Sequence, residues 1–502
     1  MNEESIYLSK SLFIRGLQCH KSQYLHKYHS ELKDEVTESK EAFYEIGYEV
    51  GDYAKRLFPG GTEIVYEENN YAEQLELTRS EIEKGTTTIY EAAFSYDNIF
   101  VKADILHKGK EGRVLYEVKS AESIKEHYYN DISLQFYVIK GCGIPVSKAF
   151  IVHINDQYVK DGKIEPSKLF TIADVTAAIE QKQGFVKDEI EKMRTMLSGE
   201  LPVRDIGEHC SDPYECDFCG HCWQHIPEEY SVFDLKGNGA NKYDLYRQGI
   251  LQLKDIPLDV LPYGQRIQVE MFIKKGNIVD RAKIKEFLDS LWYPMYFLDF
   301  ETLFMVPIPL FDGTCPYQKV AFQYSLHYIE KEGTELKHHE FLPSNGDDPR
   351  EQLIRKLTGE IPDNACVLAW NKSFEEGRLK EFKEWFPAYR EKIDIIINNM
   401  RDPMPLFRSK NIYHWQMNGS FSLKDVLPVL VPEMSYDDLE ISNGGMAANA
   451  YIEMIQTEDA NEREQIRRSL LKYCGLDTLG VVKILEKLRE YINISFNISI
   501  LP

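Results

Sequence analysis

A chain of 502 residues, 43% hydrophobic and 28% charged, has the composition of a globular protein with room for roughly two to four domain cores. Its net charge of −22 removes any overall electrostatic pull on nucleic acid, so binding a polynucleotide requires local basic strips or bridging cations. The opening MNEESIYLSK lacks a basic segment leading into an apolar run, and no window approaches roughly 18 consecutive apolar residues, so the expectation is a cytoplasmic protein with no membrane partner.

The chain divides into three blocks: 1–225, 226–288 and 289–495. In the first, EAFYEIGYEVGDYAKRLF (41–58) carries apolar residues at 43, 46, 50, 54 and 57, which predicts a helix. NIFVKADILHKGKEGRVLYEVKSA (98–121) predicts two strands around a turn containing Gly and Lys. DISLQFYVIKGCGIP (131–145) predicts a helix ended by Gly and Pro. Block 226–288 is more polar and reads as a small helical connecting module. The third block opens on an apolar strand, YPMYFLDFETLF (293–304), and closes on a long amphipathic helix near 462–492.

Three groups of residues carry chemistry. Asp104 ends the apolar part of one predicted strand, while Glu117 and Lys119 lie two apart on the next and share a face. A hairpin brings them together. Two carboxylates hold a divalent cation, and a lysine orients water or stabilises phosphate charge. In isolation the same residues also describe a strand-end acid and a surface ion pair.

The second group is Cys19 with the dense CSDPYECDFCGHC (210–222); in a reducing compartment such density indicates metal rather than disulfides. Cys142, Cys315, Cys366 and Cys474 sit in apolar surroundings and read as small core residues.

The third group answers why Asp299 and Glu301 interrupt an apolar strand, where an unpaired carboxylate costs several kcal/mol. VLAWNKSFEEGRL (367–379) runs from a strand into a helix presenting Glu375. LLKYCGLDTLGVVKIL (470–485) puts Tyr473 and Asp477 four apart on one helical face. Four acids and a tyrosine suit a pair of hard cations.

The pattern of Asp104, twelve intervening residues and Glu117-Val-Lys119 resembles the PD-(D/E)XK nuclease superfamily in its RecB-like branch. Gln135 resembles that branch's glutamine. Its tyrosine usually lies four residues on, where this chain has Ile139, with Tyr137 nearby; Glu49 is the candidate for the family's extra acid, and Gly51 replaces its histidine. The early cysteine and late cluster resemble the iron–sulfur RecB-like nucleases, including CRISPR adaptation exonucleases and AddB-type repair nucleases. That resemblance implies a 4Fe–4S cluster on Cys19, Cys210, Cys216 and Cys222, with Cys219 spare. A zinc site on Cys210, Cys216, Cys219 and Cys222 is the competing assignment. Asp299-x-Glu301 and Tyr473-x3-Asp477, with a Ser-Leu-Lys-Asp segment inside GSFSLKDVLP (419–428), resemble the tyrosine-bearing DEDD exonucleases of the ribonuclease H-like fold. Glu375 stands where that family usually has Asp. Together the resemblances imply an α/β multidomain chain: a PD-(D/E)XK restriction-endonuclease-like core in 1–225, the helical connector in 226–288, and a DEDD exonuclease-like core in 289–495.

The implied function is a metal-dependent nuclease using Mg²⁺ or Mn²⁺ on DNA, as single strands or duplex ends, with RNA an alternative substrate. The implied settings are DNA repair, CRISPR-linked processing or antiphage defence. Lys119, Lys125, His127, Tyr128 and Tyr129 combine cations with rings that stack on bases, or form a solvated helix start. Two other readings remain: one active centre with the other domain a binding module, and a non-cutting iron–sulfur scaffold that binds nucleic acid.

Overall fold

The computed structural model describes residues 8–36, 38–65 and 71–493. Residues 1–7, most of the opening stretch read above as lacking a leader, lie outside them. The chain is mixed α/β, and its described residues form two large sheets and a small third one. It divides into two compact units: Met1–His225 with Val306–Tyr317, and Ile226–Met305 with Gln318–Pro502. No helix among the described residues is long and apolar enough to cross a membrane.

The first unit is built on a seven-stranded sheet. Its strands are β1 (Leu8–Ser9), β2 (Thr62–Glu63), β3 (Thr88–Tyr96), β4 (Ile99–Lys108), β5 (Arg113–Lys119), β6 (Val146–Ile154) and β7 (Phe170–Asp174). The order is β2-β3-β4-β5-β6-β7, with β1 pairing parallel to the start of β4. The β4–β5 turn closes with Gly109 N–H donating to the Gly112 carbonyl at 2.8 Å. Gly112 has φ 143°, and a Cβ there would lie 2.6 Å from the Pro145 carbonyl oxygen, so only glycine fits.

Strands β5 and β6 are parallel, which demands a crossover; the Glu126–Gly141 helix supplies it. That helix buries Ile132, Phe136 and Ile139 in the sheet's core, each contributing roughly 1.5–3 kcal/mol. It also buries Asp131 and Gln135, four apart and therefore on one face. The segment Val306–Tyr317, part of the third block by sequence, folds with this unit. Gly313 N–H donates to the Lys160 carbonyl at 2.7 Å, and Ile308 is buried beside Tyr158 and Phe170.

The second unit holds a five-stranded sheet of β9 (Met295–Leu303), β10 (Val320–Ile329), β11 (Lys337–Phe341), β12 (Cys366–Leu368) and β13 (Met400–Arg401). The order is β11-β10-β9-β12-β13. Strand β9 runs antiparallel to β10 and parallel to β12. Being central and covered on both faces, it reads as a continuous apolar run rather than an alternation. The Ala460–Asn493 helix packs on β9 and β10, and buried Gln323 donates to the Leu470 carbonyl at 2.9 Å. Residues 226–288 belong to this unit, where Val232, Leu235, Leu245, Leu253 and Val269 form a satellite core. There β8 (Asn277–Val279) pairs with β14 (Ile412–His414).

Candidate functional site

Three elements converge on the carboxylates of the second unit. Asp299 and Glu301 share one face of β9, Glu375 stands in the first turn of the Ser373–Trp385 helix, and the Ala460–Asn493 helix brings Tyr473, Cys474 and Asp477. Glu301, Glu375 and Asp477 are buried, while Asp299 keeps an edge toward solvent. An oxygen of Asp299, an oxygen of Glu301 and the Cys474 sulfur lie within 4.8 Å of one another. Asp477 and Glu375 flank this group, near enough that their charges act on it. Burial, then the Asp477 charge, holds the Asp299 carboxyl well above its ordinary range. Burial pushes Asp477 up to about 6, against the opposing pull of the Tyr436 hydrogen bond, Lys424 and Tyr473.

Further residues complete this cluster. The Tyr436 hydroxyl donates to Asp477 Oδ1 at 2.5 Å. Lys424 Nζ donates to the Ser442 carbonyl at 2.6 Å and lies 5.0 Å from the Tyr473 ring centre. Its charge offsets Asp299, Glu301 and Asp477 only in part, because all three remain raised. Asn371 (φ 64°) turns the chain from β12 into the helix, and its N–H and that of Lys372 donate to Asp402 at 3.2 and 3.1 Å. Asp402 thereby fixes the turn from which Glu375 emerges. Glu375 Oε2 is buried with no hydrogen-bond partner. A crowded set of carboxylates with an orphaned oxygen fits a hard divalent cation, whose charge would relieve the repulsion.

In the first unit Glu117 is the hub. Its Oε1 lies 2.7 Å from Lys119 Nζ and 3.1 Å from Lys10 Nζ, and its Oε2 accepts from Gln135 Nε2 at 2.5 Å. Asp131 pairs with Lys119 and, at 3.5 Å, with Lys10. Asp104 Oδ2 accepts from the Val118 N–H at 2.6 Å, which keeps it beside the Glu117 strand. Burial, then Asp104 and Asp131, pushes Glu117 up to about 7. Burial works against Asp131 ionising, yet Lys10 and Lys119 hold its carboxyl below the usual range. The set fits a cation on Asp104 and Glu117, with two ammonium groups already in contact with Glu117 and Asp131. Tyr137 donates to Asp97 at 3.3 Å instead of joining the cluster. Glu49 is exposed on its helix. The strand acid Glu91, in left-handed conformation (φ 55°) where the β3–β4 register skips its pairing with Asp104, adds a negative charge that opposes the pull of Lys10 and Lys119 on Asp104.

Cys19, Cys210, Cys216, Cys219 and Cys222 all line one small cavity. The loop is tied to the Lys10–Gln18 helix: Gln18 Nε2 donates to the His209 and Tyr214 carbonyls at 2.8 and 2.6 Å, and Arg15 pairs with Asp217 at 2.5 Å. Asp34 Oδ1 accepts from the Gly220 N–H at 3.0 Å. A hydrogen bond from Cys219 lowers the Cys216 thiol to about 6, while burial raises Cys19 and Cys222. Zn–S bonds near 2.3 Å put sulfurs about 3.8 Å apart in a tetrahedron. Five thiols around one cavity fit either a single thiophilic ion or a metal–sulfide core. The other four cysteines differ: Cys366 is a core residue, Cys142 is exposed, Cys315 is half-buried, and Cys474 faces Asp299 at 3.6 Å rather than an apolar core.

A family model described as "Domain of unknown function (DUF2779)" matches residues 296–422. The match spans Asp299, Glu301 and Glu375 and ends before Tyr473 and Asp477. The chain is also similar to "Uncharacterized protein UU173" of Ureaplasma parvum serovar 3, at 26% identity over 159 residues. That alignment covers 27% of this chain and 23% of the relative, so this chain spans less than a quarter of the length of the protein it matches.

Lys10, Asp131, Glu91, Tyr436, Lys424, Asp402 and Cys474 join these clusters without a motif that singles them out. The usable signals were weak: Lys424 lies inside the Ser-Leu-Lys-Asp segment, and Asp131 precedes Gln135 by one helical turn.

Proposed function

We propose that this chain is a metal-dependent nuclease hydrolysing DNA phosphodiester bonds, with a PD-(D/E)XK-type centre in the first unit and a DEDD-type centre on a ribonuclease H-like core in the second. The observation that carries the reading is the convergence of Asp299, Glu301, Glu375 and Asp477, from three separated segments, into one cluster short of positive charge. Magnesium or manganese held by these carboxylates supplies Lewis-acid stabilisation of the phosphate and makes water a better nucleophile.

The protein's own groups do the rest. Tyr436 keeps Asp477 ionised and oriented. Tyr473, on the same helical face as Asp477, aligns the attacking water. Lys424 offers its charge to the incoming phosphate. In the first unit Asp104 and Glu117 hold the cation, Gln135 fixes the Glu117 rotamer, and Lys119 faces the developing negative charge. Cys19, Cys210, Cys216 and Cys222 hold a 4Fe–4S cluster that joins the start of the unit to its end. DNA repair, CRISPR-linked processing and antiphage defence are the settings this activity serves.

A specific observation favours a second reading, in which only the second-unit centre cuts. Lys10 and Lys119 both contact Glu117, so two ammonium groups already compete with a metal ion for the first centre's carboxylates. Degradation of 5′- and 3′-labelled single and double strands of DNA and RNA, with Mg²⁺ against Mn²⁺, separates these readings. With two active centres, Asp299→Asn with Asp477→Asn abolishes one product pattern and Lys119→Ala the other. Loss through the second-unit variants alone selects the single-centre reading. Undiminished cleavage in both sets, or no metal-dependent cleavage by wild type, refutes the nuclease.

A further inference from the structure

We infer that Cys474 is a third protein ligand beside Asp299 and Glu301 for thiophilic divalent ions, so that this centre takes cadmium or zinc through an oxygen–oxygen–sulfur set. The inference rests on the proposed metal centre of the second unit and adds a selectivity that four carboxylates lack. Cys474 follows Tyr473 on the Ala460–Asn493 helix and is fully buried. Its sulfur lies 3.6 Å from Asp299 Oδ2, and all three donor atoms fall within 4.8 Å of one another. Metal–ligand bonds of about 2.0–2.6 Å put neighbouring donors roughly 3–4 Å apart, the spacing that the Cys474–Asp299 pair already has.

A second feature points to an ion here. Glu375 Oε2 is buried without a hydrogen-bond partner; the Asp299 charge acts on Glu375, and the Glu375 charge acts on Glu301. Oxygen donors alone favour Mg²⁺ or Mn²⁺; one thiolate shifts preference toward softer ions. On binding, the Cys474 S–H bond breaks heterolytically, its proton leaves to solvent, and the sulfur electron pair forms the bond to the ion. No electron is transferred. Zinc or cadmium held this way would occupy the position of the hard cation and retain it, making the centre sensitive to thiophilic ions.

Cadmium-113 NMR of the full chain, with cadmium alone as probe, tests this in wild type, Cys474→Ser, Cys474→Ala and Asp299→Asn. Any cadmium taken up by thiols of the cysteine-rich cavity in the first unit resonates separately, in the all-sulfur range, and none of these substitutions touches it. The expected wild-type result is a second resonance between the all-oxygen and all-sulfur ranges. It disappears in Asp299→Asn and moves to the all-oxygen range in Cys474→Ser and Cys474→Ala. Cadmium affinity at this site falls about tenfold or more in both cysteine variants, with Mn²⁺ affinity held within about twofold. A second resonance that Asp299→Asn removes but neither cysteine variant moves overturns the inference and leaves the metal centre standing. A spectrum indifferent to Asp299→Asn overturns both. The alanine variant keeps the test decisive if the serine variant misfolds.

Discussion

The second-unit carboxylates work against folding until a cation arrives, so Asp477→Asn stabilises the metal-free protein. Asp477 is 7% exposed and its carboxyl is raised from 3.8 to about 6. Between these values the folded state binds more protons than the unfolded state, so stability falls as pH rises through that window. Above pH 6 the full penalty is present. At 1.36 kcal/mol for each tenfold, the gap amounts to about 3 kcal/mol. Asparagine removes the charge and still accepts from Tyr436, while its imperfectly paired amide returns about 1 kcal/mol. A net gain of about 2 kcal/mol raises the second unit's melting temperature by about 4–8 °C. Urea and thermal unfolding at pH 8 in EDTA measure it, with the two units' transitions resolved. Added Mn²⁺ then stabilises wild type by about 2.7 kcal/mol at a hundredfold excess over Kd, and the variant by far less. An Asp477→Asn protein no more stable than wild type in EDTA, or a wild type indifferent to Mn²⁺, refutes the electrostatic argument.

Tyr436→Phe removes a charge-assisted hydrogen bond worth roughly 1.5–3 kcal/mol, so cleavage slows about 10- to 150-fold. Tyr436 lowers the Asp477 pKa, so the acidic limb of the pH–rate profile moves to higher pH in this variant; an unmoved limb contradicts the assignment. Burial, then His338, lowers His327 to about 4 from 6.5, so the unfolded state binds the extra proton between those values. This contribution is complete above pH 6.5 and is lost as pH falls toward 4. It amounts to about 2 kcal/mol once partial exposure is discounted, and stability curves of His327→Gln flatten over that window. Gly480→Val brings a Cβ to 2.9 Å from Leu427 Cδ2 in a packed helix contact, so urea unfolding shows a loss of about 1–3 kcal/mol.

Much of the local structure was legible from periodicity. The strand pair in 98–121, the helix in 131–145 and the long terminal helix appear as Ile99–Lys108 with Arg113–Lys119, Glu126–Gly141 and Ala460–Asn493. Each depends on neighbours in the chain: alternating side chains, a glycine turn, a 3.6-residue repeat. The acids of β9 were legible for a different reason. A strand covered on both faces excludes charge, so Asp299 and Glu301 stood out against Phe297, Leu298 and Phe300. The excursion at 306–317 was not legible, because its core residues Ile308 and Tyr317 look no different from those of a strand connection.

The sequence by itself determined which residue types were available and which elements carry them: Asp104 and Glu117 on adjacent strands, Tyr473 and Asp477 on one helical face, five thiols in two short segments. Only tertiary structure decided the company they keep. Lys10 and Asp131 are 107 and 14 residues from Glu117, by numbers read along the chain, and Tyr436 is 41 from Asp477. Cys474 changed from an apparent core filler to a neighbour of Asp299 for the same reason. Charge and hydrogen-bond forces act over a few ångströms of space, and folding alone sets which distant residues come within that range.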